Sequence, residues 1–240
     1  MSHYTVSVLH RADQDIEELL APYDENLEVE PYMVYTREAA IRQAKEHWAA
    51  ESLAGKTDDE IFNMFSDGYV KDDEQNLYST YNPDAKWDWY SVGGRWGGSL
   101  KLKQDARANY GGSDAVDEAR IADIDFSPDE EAYKRALRFW EVAVEGDKQR
   151  EGEDFFIFYK PEYYLEYYGT KEKYAKYTSQ WSSFAVVTPD GKWHEPGQMG
   201  WFGMSNTTAN SQRDWNEHFM ERFIESADGD LIITVVDCHI

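Results

Sequence analysis

The residues best suited to chemistry crowd one stretch, Tyr81-Asn-Pro-Asp-Ala-Lys-Trp-Asp-Trp-Tyr-Ser-Val-Gly-Gly-Arg-Trp-Gly-Gly98, which holds three tryptophans, four glycines and a single arginine. Asn82-Pro83-Asp84 reads as a turn, after which strand alternation sets Trp87 and Trp89 on one face and Asp88 and Tyr90 on the other. Gly93-Gly94 permits positive φ or a close backbone approach, so that Arg95 emerges between glycine pairs with Trp96 beside it. A guanidinium held beside indole rings can clamp a phosphate or carboxylate through paired hydrogen bonds while a ring stacks on a base. The competing reading makes the tryptophans core and the glycines a bulged turn, and pairs Arg95 with one of the many carboxylates.

A second stretch, Trp193-His-Glu-Pro-Gly-Gln-Met-Gly-Trp-Phe-Gly-Met204, followed by Ser205-Asn206-Thr207-Thr208, repeats the mixture of tryptophan and glycine. It is too kinked for a continuous strand, and loops on a rigid sheet are where binding residues tend to lie. Trp193 and Trp201 supply rings, while Ser205 and Asn206 either cap the following helix or donate to a ligand. The expected ligand site therefore gathers Trp87, Trp89, Tyr90, Arg95 and Trp96 from the first loop and Trp193, Trp201, Ser205 and Asn206 from the second. Its geometric requirement is contact between Trp89 or Arg95 and Trp201.

Six histidines offer acid–base chemistry. Asp237 and His239 stand two apart on an apolar closing segment, so in a strand their side chains share a face, where a first-strand histidine can join them as metal ligand or acid–base partner. His194, with Glu195, is a further candidate. Against this, a terminal strand often ends on polar residues as it leaves the core. His3-Tyr4-Thr5 has the H-x-T form that two-histidine phosphoesterases use twice, but no second copy follows. The chain lacks a P-loop, a Rossmann glycine fingerprint and a G-x-S-x-G elbow, and one cysteine excludes zinc-finger spacing. No cofactor is expected.

The elements that must position these residues begin with His3–His10, which alternates as a strand, and end with the β-branched run 231–240, a buried closing strand. Thr36 caps a helix expected to run through Trp48 to Leu53, and Thr57-Asp-Asp-Glu60 is a capping box. Ser127-Pro128-Asp129-Glu130 opens a helix to about Glu145, ended by Gly146. Phe155–Tyr159 is a buried strand or a lead-in to a helix. Phe184–Val187, a turn at Pro189-Asp190-Gly191 and Lys192-Trp193 form a hairpin, and 215–224 is a last helix. This order predicts an α+β fold with a largely antiparallel sheet that includes both terminal strands, with helices packed on it. A single domain, 1–240, is expected, with any insertion around 105–180.

The net charge of −23, from 47 acidic against 24 basic side chains, argues against duplex nucleic acid as a partner, since phosphate binding needs a basic face. The acids are dispersed, and solvation explains them as well as mimicry of nucleic acid does. With no apolar run near eighteen residues and no leader, the expectation is a reducing cytoplasm and no membrane partner. Nothing in the chain specifies an oligomeric state.

The opening Met-Ser-His-Tyr-Thr-Val, the segment Pro22–Tyr32, the stretch Tyr81–Trp96, the loop Pro196–Ser205 and the closing Val-Asp-Cys-His-Ile are similar to a family of mostly uncharacterised proteins of bacteriophages and prophages. The resemblance covers roughly a third of the chain and carries no activity to transfer. It implies a viral accessory protein in a bacterial host's cytoplasm, with a host defence protein or signal as its counterpart. Three expectations follow. The protein binds a small anionic, nucleotide-like ligand in an aromatic and arginine pocket, sequestering a host signal; or it hydrolyses a phosphate-containing small molecule with Asp237, His239 and His194; or its acidic surface inhibits a host protein.

Overall fold

A computed structural model describes residues 2–198 and 205–240. The chain groups into two compact units, residues 1–22 with 86–240, and residues 23–85. The stretch 105–180 lies within the first. In chain order the elements are β1 (His3–His10), α1 (Ile16–Leu20), β2 (Tyr32–Tyr35), α2 (Arg37–His47), α3 (Ala50–Leu53), α4 (Asp58–Phe65), β3 (Val70–Lys71), β4 (Leu77–Ser79) and β5 (Trp89–Val92). There follow β6 (Leu100–Lys101), β7 (Ala115–Val116), β8 (Glu118–Arg120), α5 (Glu130–Ala143), α6 (Pro161–Tyr168), α7 (Lys171–Ser179), β9 (Ala185–Val187), β10 (Trp193–His194), α8 (Ala209–Met220) and β11 (Ile232–His239). The fold is α+β, and none of the described helices is long and apolar enough to cross a membrane.

The first unit is built on a sheet in the order β10-β9-β1-β11-β5, with β8 pairing β11 beside β5. The terminal strands β1 and β11 lie together at its centre, antiparallel over their full length from His3–His239 to His10–Ile232. Every pairing in this sheet is antiparallel except β1 with β9. Both faces of β1 are covered, which is why Val6, Val8, Val236 and Ile233 are fully or almost fully removed from water; each such side chain contributes about 1.5–3 kcal/mol of burial. On one face, Leu9, Ile233 and Val235 pack with Trp215, Phe219 and Phe223 of α8 and its continuation. Helix α8 starts at Thr208, whose hydroxyl accepts from the Ser211 amide while Ser211 accepts from the Thr208 amide.

Several sequence expectations shift for local reasons. The helix from Thr36 stops at His47 and resumes at Ala50, because Trp48 adopts an extended backbone, φ −88° and ψ 147°. Asp129 caps α5, one residue past Pro128, by accepting from the Ala132 amide. Phe155–Tyr159 is not a buried strand but, as the alternative reading has it, the lead-in to a helix, α6, with Phe156 and Phe158 72% and 77% exposed. Tyr159, Tyr163 and Tyr167 stack as a ladder with centroids 4.0 and 4.3 Å apart.

In the second unit, Ala40, Ile41, Ile61, Phe62 and Leu77 form a small core between α2, α4 and β4. The capping box at Thr57 and Glu60 is present as the sequence predicts. The Thr57 amide and hydroxyl both bond the Glu60 carboxylate and hold it below the usual range.

Candidate functional site

In an antiparallel pair, side chains directly opposite point to the same face. The register therefore builds rows on one face of the first unit's sheet. His3, His239 and Trp89 form the first row, and Thr5, Asp237 and Ser91 the second. Ser7 and Val235, then Leu9 and Ile233, complete the face. It passes along β1 from titratable, through hydroxylated, to apolar.

The first two rows make a connected set. His3 Nδ1 lies 2.8 Å from Asp237 Oδ1, and the Arg95 amide donates to Asp237 Oδ2 at 3.0 Å. His239 Nδ1 lies 2.7 Å from Asp88 Oδ1. The two imidazoles stand 5.0 Å apart, centroid to centroid, at 71°. Trp89 stacks on His239 at 5.1 Å and 17°, and meets His3 edge-on at 5.3 Å. Asp237 is 2% exposed, so its charge is tolerable only because an imidazole and an amide solvate it. In both pairs the carboxylate takes Nδ1 and orients the ring, and Nε2 has no bond among the described residues.

The glycines answer to two carboxylates. Gly93 and Gly94 have φ of +70° and +51°, and a Cβ on Gly94 would lie 2.4 Å from the Asp237 Cβ. A Cβ on Gly93 would lie 2.5 Å from Asp117 Oδ2, while the Gly98 amide donates to Asp117 Oδ1 at 2.5 Å. The loop 93–98 thus closes on Asp237 and Asp117 through its backbone. The Arg95 side chain is exposed and makes no ion pair among the described residues.

The other expected site residues are distributed over both faces. The chain bends at Asp88, whose amide donates to the His239 carbonyl at 3.0 Å, so Trp87 and Trp89 point to opposite sides rather than the same one. Trp87 is buried, donates from Nε1 to the Leu20 carbonyl at 3.2 Å and packs on Tyr90. Tyr90 stands opposite Cys238, on the reverse face, where burial raises the Cys238 thiol far above its ordinary range. Trp193 is on that reverse face too, 6.5 Å from Tyr4, and Glu195 bonds Lys86 at 2.9 Å. Trp96 is half-buried against the α8 core.

His194 is opposite Val186, which is opposite Ser7, four residues along β1 from His3. It bonds Thr188 Oγ1 at 3.2 Å, and burial lowers its affinity for a proton. Ser205 bonds Thr207, and Asn206 closes its loop on Gln198 through Oδ1 and its amide. Trp201, and with it the proposed contact between the two loops, lies outside the described residues.

The structure thus brings Asp237 and His239 together with Trp89 and adds His3 and Asp88. His3 is signalled by strand alternation once β1 is paired with β11, whereas nothing in the spacing singles out Asp88, which reaches His239 only through the bend. Among the described residues no group of three or more His, Cys, Asp or Glu side chains is disposed to hold a metal ion. Comparison with known proteins finds no family model that matches the chain, and no curated protein or solved structure that is similar to it.

Proposed function

We propose that the protein is a hydrolase that cleaves a phosphate ester in a small anionic molecule, with His3 and His239 as its acid–base pair. The observation that carries this reading is two adjacent imidazoles on one face, each held at Nδ1 by its own carboxylate. One neutral imidazole accepts a proton from water through Nε2 as the water oxygen bonds to phosphorus. The phosphorus–oxygen bond to the leaving group breaks, and the other imidazole, protonated, gives its proton to the departing oxygen. Asp237 and Asp88 are positioning residues that stabilise the imidazolium forms. Arg95, exposed and without an ion pair among the described residues, is the cation for the substrate's charge. Proton transfer by a positioned group contributes about 10²–10⁴-fold.

The resemblance of the motifs to bacteriophage proteins makes anionic signals of a bacterial host the first substrates to try. The test is incubation with a panel of phosphomonoesters and phosphodiesters, followed by separation of products. Expected is turnover by the wild type and loss of turnover, with retained folding, in His3→Ala and His239→Ala. Activity surviving in both variants sinks the reading. A second reading, capture without turnover, draws support from Trp89, which is 44% exposed although one side of its ring stacks on His239. Tight binding with the ligand recovered intact selects it.

A further inference from the structure

Beside the second row of the same sheet face lies a cavity of about 300 Å³, lined among others by Thr5, Ser7, Trp96, Ser99, Gln180 and Trp181. That is the size at which small-ligand sites begin. Thr5 is two residues from His3 on the same face, roughly 7 Å along the strand. Although the chain carries 71 charged side chains, none lines this cavity among the described residues. The ligand group that fits is therefore neutral, with polar edges.

The hydrogen bonds around it are directional. Ser183 donates to the Ala185 carbonyl at 2.7 Å, so Ser7 donates to Ser183 at 2.8 Å and keeps only lone pairs for a ligand. Thr5 Oγ1 accepts from the Phe184 amide at 3.2 Å and keeps its hydrogen. Ser99 Oγ is buried with no partner among the described residues, so its hydrogen-bonding capacity is unspent. One wall thus presents a spare donor at Thr5, a spare acceptor at Ser7 and an unused hydroxyl at Ser99, and indoles at Trp96 and Trp181 supply flat apolar surface.

We propose that this cavity is a nucleobase subsite, so that the ester cut at His3 and His239 belongs to a nucleotide. An uncharged heteroaromatic ring matches the lining: its faces meet indole, and its edge carries both donors and acceptors for the three hydroxyls. This rests on the acid–base reading for the substrate's phosphate, but the base subsite is testable alone.

The experiment titrates wild-type protein with free nucleosides, with ribose 5-phosphate and with inorganic phosphate, following tryptophan fluorescence and calorimetry. Expected is saturable quenching by at least one nucleoside, weakened at least tenfold in Ser99→Leu, which fills the cavity, and in Thr5→Val, which removes the spare donor, together with the acceptor of the Phe184 amide, at constant shape. His3→Ala keeps nucleoside affinity within about twofold, since the imidazole does not line the cavity. No nucleoside binding at millimolar concentration, or preference for a free sugar, overturns the subsite even if phosphate esters are cleaved. Nucleoside binding that obeys these variants in a protein that cleaves nothing upholds the subsite and overturns the acid–base reading instead. If Ser99→Leu does not fold, Thr5→Val and the wild-type ligand ranking decide.

Discussion

Strand β1 carries a histidine at each end, and the two are used differently. His10 is 5% exposed and has both ring nitrogens engaged, Nδ1 with the Arg11 carbonyl at 3.1 Å and Nε2 with Thr234 Oγ1 at 2.9 Å. Thr234 in turn donates to Glu118 at 2.7 Å. Among the described residues His3 has only Nδ1 engaged, with Asp237, and it faces a second imidazole and an indole. A histidine satisfied at both nitrogens is a structural crosslink; one anchored at a single nitrogen keeps the other for a ligand, as the proposed acid–base role requires. The difference arises from what stands across the strand pair, isoleucine opposite His10 and histidine opposite His3.

The largest effect that can break this contrast is on turnover. His3→Ala and His239→Ala are each expected to lower kcat/KM per folded molecule about 10²–10⁴-fold, and His3→Ala also to cost about 1–3 kcal/mol of stability, because the buried Asp237 carboxylate loses its imidazole partner. His10→Ala leaves activity per folded molecule unchanged. Equal losses of activity at the two ends erase the distinction. Next, Gly94→Ala drives a Cβ into Asp237 and should cost about 1–3 kcal/mol in denaturant unfolding together with activity. Gly98→Ala, where a Cβ meets nothing within 4 Å, costs only its φ strain of about 1 kcal/mol.

At the other end, Thr234→Val removes the link between His10 and Glu118 and should cost about 1 kcal/mol of stability. The rate with a good substrate should not move. The smallest effect separates the pH dependence of folding from that of the site. Arg138 Nε lies 2.8 Å from Glu153 Oε1 and holds that carboxyl down to about 2. Because the folded-state value is lowered, the stabilisation is complete above the ordinary glutamate value and is lost as pH falls toward about 2. Glu153→Gln should thus unfold earlier than wild type near neutral pH, and the two curves should converge in acid. Rate changes measured above this acid window then report on the imidazoles.

Much of the scaffold was legible because it depends on local rules. The alternation of His3–His10 and the β-branched run ending at His239 mark strands, and Thr57 with Glu60 marks a helix start. The aromatic stretch was harder. Strand alternation set Trp87 beside Trp89, but the bond from the Asp88 amide to the His239 carbonyl bends the chain there and divides them between two faces. Phe155–Tyr159 has the composition of a core strand, yet no neighbouring strand presents a ladder to it among the described residues, and Phe156 and Phe158 stay in water.

By itself the sequence determined that His3–His10 and the closing run are strands, that Thr57 and Glu60 open a helix, that Asp237 and His239 share a face, and that glycines flank Arg95, since each depends on residues close together in the chain. Tertiary structure decided the pairing of β1 with β11, and hence that His3 meets His239 and Asp237 across 236 and 234 positions of sequence. It also decided that Gly94 is required by the Asp237 side chain rather than by a turn alone. Register is an outcome of burying both faces of a central strand at once, and only the folded chain contains that constraint.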